Sequence, residues 1–103
     1  MAIVSVHVLR WVDDEPQPGV VEASLCDANN VEHRFVQKSA YFGPLDISRE
    51  TAFPIRAVTD CQIIGKEHEI AGRTAVWIEL CWCESTEQRT RFVVFTDQIS
   101  KTD

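Results

Sequence analysis

Four cysteines, three histidines and an acidic run beside a tryptophan are the residues of this 103-residue chain whose types could do chemistry. Cys81 and Cys83 lie one residue apart, so on a strand they would share a face and could both reach one zinc ion, joined by Cys26, Cys61 or a histidine. Known zinc modules present paired ligand knuckles, whereas here the other two cysteines stand alone. We therefore read all four as core thiols, with a zinc or redox site at Cys81 and Cys83 as the alternative and no metal or other cofactor implied.

His7, His33 and His68 are the candidate general bases. Glu32 precedes His33, and Glu67 and Glu69 flank His68, but successive strand residues face opposite ways, so those carboxylates do not orient those rings. No serine or cysteine sits in a nucleophile-elbow pattern. The glycines at 19, 43, 65 and 72 are scattered and form no phosphate-cradling turn. No catalytic residue is assigned.

Trp11 followed by Asp13, Asp14 and Glu15 carries the clearest sign of a partner. Tryptophan is enriched among interface hot spots, and an acidic rim speeds encounter with a basic protein. Acidic residues outnumber basic ones 16 to 10, for a net charge of −6, so the whole-molecule field repels polyphosphates and tells against nucleic acid. An aromatic platform of Trp11, Trp77 or Phe95 beside Arg34, Arg89 and Arg91 is the pattern a single-strand binder would need, but the charge balance disfavours it. The opening residues lack a secretory signal and no run reaches the ~18 apolar residues of a membrane span, so the expectation is a cytoplasmic protein with reduced thiols and no membrane partner.

These residues need elements to position them. Short Val- and Ile-rich runs separated by turn-forming clusters predict six strands: Ile3–Val12, Val20–Asp27, Val31–Lys38, Ile55–Gly65, Arg73–Glu84 and Arg89–Thr96. Val4, Val6 and Val8 share one face of the first, and Val21, Ala23 and Leu25 one face of the second. The third places Val31, His33 and Phe35 inward. Asn29-Asn30 supplies the turn between the second and third, and the tip between the fourth and fifth falls around His68–Gly72. The fifth presents Val76, Ile78, Leu80 and Trp82 on one face and Trp77, Cys81 and Cys83 on the other. The fifth and sixth are thus apolar on both faces.

Ser39–Pro54 is a long connection broken by Gly43-Pro44 and Phe53-Pro54, with one helical turn expected near Leu45–Thr51. Its Tyr41, Phe42, Leu45, Ile47 and Phe53 predict that it folds back over the core as a lid, covering a second apolar face that a second subunit would otherwise cover. At 103 residues and 45% hydrophobic content, the chain is expected to be one all-β domain: a small antiparallel barrel, or a compact two-sheet sandwich, with one lid-like loop.

The segments Leu9-Arg10-Trp11-Val12-Asp13-Asp14, the Asp27–Lys38 hairpin ending His33-Arg34-Phe35-Val36-Gln37-Lys38, and Glu84-Ser85-Thr86-Glu87 leading to Phe92-Val93-Val94 resemble a group of short stand-alone bacterial β-proteins of uncharacterised function. That resemblance implies a bacterial single-domain β-protein and transfers no catalytic residue. The expected function is non-enzymatic protein binding, immunity- or inhibitor-like toward a basic partner, through Trp11, Asp13, Asp14, Glu15, Trp77 and Phe95, with self-association as a further partner. The alternative is a small-molecule site or enzyme in the barrel mouth near His33, Tyr41 and Phe42.

Overall fold

The computed structural model describes residues 1–44 and 46–101. The described chain is all-β: eight strands form one antiparallel sheet curled into a half-barrel, joined by turns and two short 3-10 segments. The strands are β1 (Ala2–Asp13), β2 (Val20–Cys26), β3 (Glu32–Lys38), β4 (Ile55–Ile63), β5 (His68–Ile70), β6 (Arg73–Leu80), β7 (Arg91–Phe95) and β8 (Ile99–Lys101). They run in the order β3-β2-β1-β4-β6-β5, with β7 added to β6 and β8 to β1. No helix of the described residues is long and apolar enough to cross a membrane.

Alternation creates the core. Val4, Val6 and Val8 of β1, Val21, Ala23 and Leu25 of β2, Phe35 of β3 and Val76, Ile78 and Leu80 of β6 all turn inward, joined by Phe92 and Val94 of β7. A one-residue slip of any of these strands would move its apolar set to solvent, so burial itself fixes register. Val31 stands before β3 and is exposed, so the inward set of that strand reduces to His33 and Phe35.

Three expectations need correction. β5 is a strand where a hairpin tip was expected; the turn tightens to Ala71-Gly72, both at positive φ, which frees His68–Ile70 to pair with Arg73–Ala75. β8 arises after the last expected strand by pairing Ile99–Lys101 with Ala2–Val4. The fifth expected strand stops early: β6 ends at Leu80, where the Leu80 amide donates to the Thr90 carbonyl and the Cys81 amide to the Asp60 carbonyl. The bend there leaves Trp82 56% exposed and buries Cys83 in the main core.

Ser39–Pro54 does fold back over the core. Tyr41, Phe42, Ile47 and Phe53 pack on it, Gly43 exchanges two backbone hydrogen bonds with Val58 of β4, each 2.9 Å, and a 3-10 turn forms over Ser39–Tyr41. Leu45, where the expected helical turn begins, lies outside the described residues; 46–48 has no regular structure, and a single turn follows in which the Thr51 amide donates to the Ser48 carbonyl at 3.0 Å. The described residues of this segment do not join the cluster on the second face of β6 and β7. Ala75 and Val93 on that face are covered by Ala28, Ile70 and Phe95 instead.

Candidate functional site

Trp11 owes its position to two register irregularities in β1, one between Val8 and Arg10 and one between Trp11 and Asp13. Such bulges re-aim side chains and sharpen twist. The benzo ring of the indole packs against Gly19, whose φ of 140° belongs to glycine and where any Cβ would run into the ring. Its Nε1 donates to Asp14 Oδ1 at 2.8 Å, and Arg49 donates from the facing loop to Asp14 Oδ2 at 3.1 Å. The Ser39 amide donates to the Gly19 carbonyl at 2.9 Å, tying the two loops at their base.

Between these loops lies a solvent-open cleft of about 770 Å³. Trp11 and Asp14 form one side, Phe42 is a buried apolar residue of its wall, and Asp46, Arg49 and Glu50 come from the other loop. Asp46 and Glu50 have no side-chain partner among the described residues, whereas Arg49 is already spoken for by Asp14. The cleft therefore presents one pinned indole beside an excess of carboxylate.

The expected interaction residues divide. Trp11 and Asp14 line the cleft; Asp13, exposed at the end of β1, accepts at 3.0 Å the amide of Glu15 on the loop that follows. Trp77 and Phe95 lie elsewhere, on the outer face of β6 and β7; Trp77 is 41% exposed, and the Arg73 guanidinium sits 3.7 Å over the Phe95 ring. The expected trio of His33, Tyr41 and Phe42 does not form one pocket. Phe42 lines the cleft, Tyr41 packs half-buried on the core while its carbonyl accepts the Thr59 hydroxyl at 2.8 Å, and His33 lines no part of the cleft.

His33 is held away by Asp27, a partner that nearest-neighbour reasoning on one strand misses. The turn between β2 and β3 returns the chain so that His33 Nε2 meets Asp27 Oδ2 at 2.7 Å, with both residues buried. Asp27 Oδ1 accepts the Asn29 and Val31 amides at 2.8 and 3.0 Å. Burial pushes this carboxyl up, but the His33 hydrogen bond and the two amides outweigh it and hold the group below its ordinary value of 3.8. The signal legible in sequence is an Asp opening an Asn-Asn turn, which is a side-chain-to-backbone turn residue.

Cys61 lies close enough to Cys81 to feel its charge. Burial pushes Cys61 and Cys83 up to about 11, and Cys83 lies 3.8 Å from the Thr59 hydroxyl. Cys81 is half-buried and Cys26 exposed. Cys81 and Cys83 do not share a strand face, because β6 ends at Leu80 and both lie beyond it. Among the described residues, no group of three or more His, Cys, Asp or Glu side chains is placed to hold a metal ion. No family model, curated protein or solved structure matches this chain.

Proposed function

We propose that this protein is a non-enzymatic binding module of the cytoplasm that takes a basic segment of another protein in the cleft between the β1–β2 loop and residues 46–50. The observation that carries this reading is the union, in one cleft, of Trp11 fixed by Asp14 and Gly19 with the free carboxylates of Asp46 and Glu50. A tryptophan already held in one orientation loses little freedom on binding, and a cationic side chain can lie against its face while meeting the carboxylates. The net charge of −6 acts in the same direction by steering a basic partner toward the molecule.

Affinity capture from the source cells tests this. The wild-type chain is expected to recover a basic protein in stoichiometric amount, the Asp46→Lys/Glu50→Lys variant at least tenfold less, and Trp77→Ala as much as wild type. Capture that ignores the charge reversal, or recovery of no stoichiometric partner, overturns the reading.

A further inference from the structure

The half-barrel has a seam where the β2–β3 hairpin meets β7 and the segment leading into it. Two backbone hydrogen bonds cross it among the described residues: the Ala28 amide donates to the Val93 carbonyl at 2.8 Å, and the Thr86 amide to the Arg34 carbonyl at 2.8 Å. The first comes from the turn that Asp27 organises. That turn is closed by the Asp27 amide donating to Val31 O at 2.9 Å, the Asn30 amide donating to Asp27 O at 3.0 Å, and the two amides on Asp27 Oδ1. His33 joins the turn to β7, since its ring bonds Asp27 and packs 4.7 Å from the Phe92 ring.

The proton count of this arrangement is constrained. An ionised Asp27 is acceptor-only, so Nε2 of His33 carries the proton and donates. His33 is 3% exposed, and its Nδ1 is buried with no hydrogen-bond partner among the described residues. A lone pair can occupy that position at modest cost, whereas an N–H there would be a buried donor with nothing to receive it. A second proton has two places to go. On Nδ1 it creates that orphan donor directly. On Asp27 it either breaks the bond to His33 or, by donating to Nε2, moves the histidine proton to Nδ1 and creates the same orphan donor.

We propose that the buried Asp27–His33 pair is a one-proton latch on the seam, closed while the pair holds a single proton and released at the 27–31 turn when it takes up a second. Among the described residues, the charged and titratable neighbours do not supply an alternative partner. Glu32 and Arg34 flank His33 on β3 but are exposed and pair with each other at 2.7 Å; Arg89 lies over Phe92, 5.1 Å from its centroid; Cys26 contacts Asn30 and the Asp27 carbonyl.

Nitrogen NMR of the His33 ring together with amide exchange, corrected for intrinsic rate, tests the latch on the intact chain. At pH 7 the ring is expected as the neutral Nε2–H form. Between pH 7 and pH 3 the protection of Ala28 and Val31 is expected to fall at least tenfold more than that of Val6 in the β1–β4 ladder. Asp27→Asn retains acceptors for the turn amides but donates to Nε2, so it is expected to move the ring proton to Nδ1 and to lower Ala28 protection at least tenfold at pH 7. An imidazolium at pH 7, or Ala28 protection that tracks Val6 throughout the wild-type titration, overturns the proposal. Those wild-type readings decide the matter even where Asp27→Asn fails to fold.

Discussion

Asp27 gathers more of this protein's polar structure than any residue in the cleft, and its charge has a thermodynamic consequence. The folded carboxyl lies below its ordinary value of 3.8, so the unfolded chain binds more protons in acid. The stabilisation is complete above that value and is lost as pH falls through the lowered one. Urea denaturation is therefore expected to show a steeper loss of stability below pH 4 for wild type than for Asp27→Asn. Removing the side chain with Asp27→Ala strands a buried histidine nitrogen and two turn amides, and is expected to cost about 3 kcal/mol by the same assay. The thiols give a second residue-scale prediction. With Cys61 and Cys83 buried and pushed up to about 11, an alkylating reagent at pH 8 is expected to modify exposed Cys26 first, half-buried Cys81 later and the other two only after unfolding, read by peptide mass.

At the scale of elements, alternation makes most of the sheet legible in the sequence. Val4, Val6 and Val8 of β1 and the Val21, Ala23, Leu25 set of β2 turn inward as their spacing requires, because a half-buried strand writes its burial into every second residue. The end of β6 is not legible. Cys81-Trp82-Cys83 continues an apolar run, and nothing within it announces that Leu80 and Cys81 pair with Thr90 and Asp60 across the fold. The cleft is half legible: Trp11 and Asp14 stand out by type, but Asp46 and Glu50 join them only because residues distant in sequence are folded alongside. A contrast within β6 checks the facing of its side chains. Ile78→Ala removes a fully buried side chain and is expected to lose about 2–5 kcal/mol in urea denaturation, whereas Trp77→Ala, on the opposite face, is expected to lose under about 1 kcal/mol.

At the scale of the whole molecule, the apolar second face of β6 and β7 is met within the chain at Ala75 and Val93, while Trp77 on the same face stays 41% exposed. Ala75 and Val93 are buried against Ala28, Ile70 and Phe95, so no second copy is needed to hide them. Native mass spectrometry at micromolar concentration is accordingly expected to show an 11.7 kDa species, with a dimer of about twice that mass as the contrary result.

The length of β1 has a consequence of another kind, in the order of assembly. Its C-terminal half pairs with β2, which follows at once in the chain, but Val4 must find both Thr59 of β4 and Ile99 of β8. Pairings between such distant residues close large loops before they return stabilising contacts, which places folding of such sheets on the order of milliseconds to seconds. The β2–β3 hairpin, with its Asp27 turn, is the local unit available early. Among the described strands β8 pairs with β1 alone, through three residues, so amide exchange is expected to find Ile99–Lys101 less protected than the β1–β4 ladder it borders.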